Sequence, residues 1–169
     1  MKALLLVTIL FVAAGLLLPH KYQLKQQITF STTDERQLFA LLDLKQWSKL
    51  MMWQRISQTQ YIHFSTPSTG VGAHAAIDHQ LGRIELTITK KTKQGIEFSM
   101  LFNNEHSAIG LLTFTHHNDS ITVNWQISGA VHSTLLGGYT ALYIEYHLRQ
   151  MIISAYNNLQ SELKLRAAL

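Results

Sequence analysis

The sequence predicts an α+β domain behind a hydrophobic N-terminal helix: an antiparallel sheet with one wet face, covered by a long C-terminal helix. Three observations lead there. Apolar residues alternate with polar ones in short runs between Gln58 and Ser128, the period of a half-buried strand. From about Tyr139 to Arg166 the apolar period becomes 3.6, the period of a helix. Ala3 to Leu18 is apolar throughout except for Thr8.

The N-terminal run bears on localisation. As a helix it reaches ~24 Å, a little short of a ~30 Å hydrocarbon core, so its length falls between a signal-peptide core and a short anchor. Ala13-Ala14-Gly15 offers a cleavage site of small residues, but cleavage there leaves Leu16, Leu17 and Leu18 exposed on the new terminus. A retained anchor is therefore the expectation: one continuous helix over 1–18, projecting from the domain without a packed tertiary partner, and stopped by Pro19-His20-Lys21. Lys2 balances Lys21 and Lys25. The usual short-N-terminus arrangement then puts the domain on the periplasmic or extracytoplasmic side, with release to the periplasm after cleavage as the alternative. The chain divides into a hydrophobic anchor or signal segment, 1–20, and a domain, 21–169.

The remaining elements follow in order. Tyr22 to Phe30 reads as a first strand. Thr32-Thr33-Asp34 supplies cap residues before Leu38, Phe39, Leu41 and Leu42, and Asp43 to Trp47 starts a second short helix. Ile62 and Phe64 alternate with Tyr61 and His63. Pro67 to Gly72 is a turn, and Ala73 to His79 the next strand. Ile84, Leu86 and Ile88 form another. After the Gln94-Gly95 turn, Phe98, Met100 and Phe102 are expected to share one sheet face with Leu112, Phe114, Val123 and Trp125, all against the last helix. Gly137-Gly138 reads as a flexible turn into that helix, whose apolar stripe runs through Ile144, Leu148, Ile152, Ala155, Tyr156, Leu159 and Leu163.

Composition excludes several classes. A chain of 169 residues, 47% apolar, suits one folded domain rather than disorder. The net charge of +4 is dispersed, with no basic stripe for a nucleic-acid partner. Absence of cysteine removes disulfides and thiol chemistry. Among the nine histidines, His74 and His79 point to opposite faces of one strand and His116 and His117 diverge, so no metal site is expected and no cofactor is implied. No nucleophile elbow or phosphate loop appears.

The order strand, two short helices, antiparallel strands, long helix is the helix-grip order, and local sequence agrees with it. Phe39-Ala40-Leu41-Leu42-Asp43 with Trp47 and Trp53, Gly70-Val71-Gly72-Ala73, and Ile121-Thr122-Val123-Asn124-Trp125 with Gly129 resemble the polyketide cyclase/dehydrase-like branch of the START superfamily (SRPBCC). Tyr156 to Lys164 resembles its terminal helix, so the likeness runs from about 22 to 166. One departure is Ala75-Ala76-Ile77-Asp78, where the family often has Trp. The resemblance implies a curved sheet wrapped around the last helix, with a hydrophobic cavity between them. It implies no fixed reaction, because lipid carriers, small-molecule binders, cyclases and chaperone partners all share this architecture.

The candidate ligand-binding residues are Phe98, Met100, Phe102, Phe114 and Trp125, each either core or cavity wall, together with Glu145 and Arg149. Glu145 lies near the centre of the last helix's apolar stripe and Arg149 one turn on. They are either a polar grip at the cavity mouth, with Glu145 as a candidate catalytic acid or base, or an ordinary i,i+4 pair. The leading expectation is a membrane-anchored, non-catalytic module holding a lipid or other apolar small molecule. A cyclase, hydratase or hydrolase using the same cavity, and an interaction module with a filled core and an unnamed protein partner, are the alternatives.

Overall fold

A computed structural model describes residues 2–32, 35–53, 59–79, 82–133 and 135–167. The order is α1 (Lys2–Leu17), β1 (Lys21–Phe30), a 3-10 helix (Glu35–Leu42), α2 (Leu44–Leu50), β2 (Thr59–Phe64), β3 (His74–His79), β4 (Gly82–Thr92), β5 (Gly95–Phe102), β6 (His106–His116), β7 (Ile121–Ala130) and α3 (Gly137–Ala167). The seven strands form one antiparallel sheet in the order β1-β7-β6-β5-β4-β3-β2, curved about the 31-residue α3. The proposed cap residues Thr33 and Asp34 lie outside the described residues.

The expected face assignment holds. Ile96, Phe98 and Met100 of β5, Leu112 of β6, and Val123, Trp125 and Ile127 of β7 are all buried, while Gln126 and Ser128 face out. The core continues through Leu148, Ile152, Ala155 and Leu159 of α3. Two glycines make room for rings laid flat on the sheet. Phe98 sits across the strand pair from Gly110, and a Cβ there would lie 2.0 Å from its ring. Tyr22 sits across from Gly129 in the same way. Burial pushes the Tyr22 hydroxyl up to about 12, because the phenolate would lose its water.

One hairpin escaped the periodicity argument. Asn103 (φ 53) and Asn104 (φ 58) both adopt left-handed backbone, and Glu105 N–H donates to the Phe102 carbonyl at 3.0 Å. A hairpin turn whose two central residues both have positive φ suits Asn second only to Gly, so the Asn-Asn pair was the available signal; Glu105 is the third connecting residue, since Phe102 pairs with His106. The turn starts β6 at His106, well before Leu112.

The N-terminal helix departs from the expected transmembrane-like, unpartnered helix in two respects, its packing and its length. It is continuous, and its first half projects, but its second half packs on the start of α3. The Phe11 and Tyr139 rings stack at 4.6 Å, and the Tyr139 hydroxyl donates to the Phe11 carbonyl at 2.9 Å. Gly15 and Gly138 permit the close approach: a Cβ on Gly138 would lie 2.2 Å from the Leu18 Cβ. Gly137 and Gly138 are therefore buried first residues of α3, not a flexible turn. No helix of the described residues is long and apolar enough to cross a membrane.

Candidate functional site

The space between sheet and helix is built around three aromatic rings. Asp43 caps α2 by accepting from the Lys45 N–H at 2.9 Å, which starts the helix that carries Trp47 inward. The Trp47 indole then donates to the Leu41 carbonyl at 2.9 Å, satisfying its only polar group. Trp47 meets Phe98 and Trp125 at 5.2 Å each, and Phe98 meets Trp125 edge-on at 6.2 Å. Between these rings, Met100, Phe102, Ile77 and the α3 residues Leu148 and Ile152 lies a chamber of about 40 Å³. An apolar hollow of that size holds about one water's volume and stays dry. It is too small for a lipid, so the interior proper is nearly filled.

Room exists just outside it. Met51, Ile84, Phe102, Leu148 and Met151 line both the chamber and an open groove of about 600 Å³ between α3 and the β3–β6 end of the sheet. Met52 (φ 54) ends α2 in left-handed backbone, which turns Trp53 into the core and leaves Met51 and Met52 at the groove. The Asn158 amide donates to the Leu50 carbonyl at 2.7 Å and ties this corner to α3. Unbranched methionines reshape at low cost, so the throat between groove and chamber is deformable.

The rim is polar and histidine-rich. His79 from β3, His106 from β6 and His147 from α3 line the groove, with no carboxylate among the described lining residues. His106 Nδ1 accepts the His132 N–H at 3.3 Å. Arg83 lines the groove as well, with its guanidinium held by Glu85 at 2.7 Å and Asp78 at 3.5 Å. Among the described residues no group of three or more His, Asp or Glu side chains is placed to hold a metal ion. The sequence offers only local histidine pairs, His74 with His79 and His116 with His117, and no local pattern announces that three elements converge here.

The structure thus brings Phe98, Met100, Phe102 and Trp125 together as chamber walls, and Phe102 reaches the groove as well. Phe114 shares their sheet face but lies at the other end of it, beside Phe39, Leu42 and the β4–β5 turn. Glu145 and Arg149 line neither chamber nor groove. They pair with each other at 3.1 Å, both half-buried. The reason is angular: at about 100° per residue, Glu145 lies roughly 150° around α3 from the centre of the groove-facing residues. The apolar stripe used to place it is wide enough to include both flanks of the helix. At Ala75–Asp78, where one wall was expected to differ, Ile77 is the residue that faces the chamber.

No protein-family model matches the sequence, and a search of curated proteins finds no match. Solved structures do match. Ara h 8.0201 aligns at TM-score 0.60 and 8% identity, covering 83% of this chain and 99% of its own. The di-domain ARO/CYC StfQ from the steffimycin biosynthetic pathway aligns at TM-score 0.64 and 9% identity, over 88% of this chain and 52% of its own. Norcoclaurine synthase from Thalictrum flavum aligns at TM-score 0.58 and 8% identity, over 82% of this chain and 86% of its own. At such identities the likeness speaks for architecture and not for activity. The chain has the helix-grip fold shared by the START-like (SRPBCC) superfamily.

Proposed function

We propose that this protein binds a lipid or other apolar small molecule in the groove between α3 and the sheet, with α1 seated in a membrane and the domain on its extracytoplasmic side. The observation that carries the reading is the groove itself. Its volume of about 600 Å³ falls within the ~300–1,000 Å³ typical of small-molecule sites. Its apolar throat leads through Met51, Phe102 and Met151 to the chamber walled by Phe98, Met100 and Trp125. A ligand sits with its apolar end at the methionine throat and its polar end at the histidine rim. Phe114, Glu145 and Arg149 have no part in this reading. A catalytic function for Glu145 needs its carboxylate at the groove, and it lies on the other flank of α3.

Native mass spectrometry of the full-length chain released from detergent tests the reading. Wild type is expected to retain a co-purified lipid-sized molecule. Ser154→Trp, which places a ring in the open groove without touching the core, should reduce its occupancy at least about tenfold. A wild-type chain that carries and accepts no apolar molecule, or a Ser154→Trp chain loaded equally, would overturn the proposal in favour of an interaction module.

A further inference from the structure

The first half of α1 has a solvation problem that no single packed partner solves. Leu4, Leu5, Leu6 and Val7 are each 60 to 73% exposed. Four consecutive helical residues point to all sides of the axis, at about 100° intervals. A partner helix covers one stripe, whereas a helix apolar all round needs a core or a bilayer to surround it. Yet the 16 residues of α1 reach only ~24 Å against a ~30 Å hydrocarbon core.

More apolar surface lies beside it, on α3. Leu135, Leu136, Leu142, Tyr143 and Tyr146 are 49 to 59% exposed, all within or just before the first turns of that helix. This is where α1 is clamped, by the Phe11–Tyr139 stack and by Gly15 and Gly138. Travelling around α3 at about 100° per residue, Leu142, Tyr146, Tyr143 and His147 follow one another. The Tyr143 and Tyr146 rings lie 4.2 and 5.4 Å from the His147 ring, and Tyr143 and His147 line the groove. The apolar surface therefore runs without a break from α1 to the groove rim.

Strand register places the groove at the same end of the domain. Tyr22, just after α1, pairs with Gly129, and Gly129 pairs with Ala108, two residues from His106 at the groove rim. Val131 N–H donates to the His20 carbonyl at 2.8 Å, closing this end. The β6–β7 turn lies at the opposite end, ~33 Å away along the ten residues of β1.

We propose that α1 and the N-terminal end of α3 form one rigid bilayer-docking surface that holds the groove mouth against the lipid interface. Tyr143 and Tyr146 sit at headgroup level, where amphipathic rings are favoured. A ligand then passes between bilayer and groove without crossing water. This rests on the reading of α1 as membrane-seated and adds that the domain is fixed upon it, not tethered loosely.

Because the chain has no cysteine, single labels can be placed cleanly. The full-length chain carrying Tyr146→Cys or, as a control in the far turn, Asn118→Cys is labelled with an environment-sensitive dye. It is then reconstituted into phosphatidylcholine–phosphatidylglycerol vesicles, with or without a headgroup-level spin-labelled lipid. The protein should float with the vesicles, and the dye at 146 should be quenched several-fold more than the dye at 118. Gly138→Leu, which opens the clamp, should still float, with quenching at 146 reduced to the control level. Tyr139→Ala serves the same purpose where Gly138→Leu does not fold. Failure to float overturns the membrane seating of α1 and this inference with it. Flotation with equal weak quenching at both sites overturns the rigid docking alone, and leaves groove binding to stand on its own mass-spectrometric test. A dye at 146 that is shielded without lipid, in a self-associated chain, assigns the surface to a second copy instead. Undiminished quenching in both clamp variants refutes the clamp.

Discussion

Gly110→Ala is the perturbation that most directly probes how the chamber is built. The added Cβ would lie 2.0, 2.2 and 2.6 Å from three atoms of the Phe98 ring, so the ring must lift off the sheet. It cannot lift freely, because Trp47 and Trp125 pack on it at 5.2 and 6.2 Å. Such overpacking costs about 1–3 kcal/mol. The chamber of about 40 Å³ offers partial relief, which favours the lower half of that range. Phe98→Ala on its own should cost about 3–5 kcal/mol, because the ring is buried and its site cannot collapse around two tryptophans. In the double variant the clash is gone, and alanine at 110 regains about 0.4–1 kcal/mol by restricting the unfolded chain. The two changes should therefore couple by at least about 1.4 kcal/mol. Chemical denaturation of the full-length chain in mild detergent, followed by tryptophan fluorescence, measures this well: all three tryptophans line the chamber. Additivity within about 0.3–0.5 kcal/mol would refute the packing of Phe98 on Gly110, and with it the register of β5 on β6.

Other outcomes follow from the same geometry. Tyr22 is held protonated more tightly in the folded chain, so its contribution is complete below pH 10 and is lost as pH rises through about 12. About 2 kcal/mol of stability should disappear across that window in wild type and not in Tyr22→Phe, as urea midpoints at pH 9 and above pH 11 would reveal. Asn158→Ala strands the Leu50 carbonyl and should cost about 1–3 kcal/mol by denaturant titration; no loss would mean that water replaces the amide. Glu145→Gln should shift stability by less than ~0.5 kcal/mol and leave ligand occupancy within a few-fold, since the pair is a partly solvated i,i+4 contact. A large loss of occupancy would return Glu145 to the binding site.

Where sequence reading succeeded, the signal was local. Strand faces at Phe98, Met100, Val123 and Trp125 follow from alternation, because successive strand side chains point to opposite sides whatever the tertiary context. The second short helix expected from Asp43 onward is observed too, and the structure adds that Asp43 caps it. Where it left two readings open, as for Glu145 and Phe114, the missing information was an angle or a distance between elements. Glu145 was placed on a stripe broad enough to hold both flanks of α3, and only packing against the sheet distinguishes groove side from far side. Phe114 has the right face but the wrong end, which periodicity does not encode.

The sequence by itself determined an α+β chain with a one-sided antiparallel sheet, a long closing helix and an all-round apolar N-terminal helix. These properties are periodic, and periodicity is written residue by residue. Tertiary structure alone decided that aromatic rings fill the interior down to about 40 Å³, that the usable space is an open groove ringed by His79, His106 and His147, and that α1 is clamped to α3 at the same end. Volume and adjacency arise from how side chains distant in sequence pack together, and a linear pattern holds no measure of either.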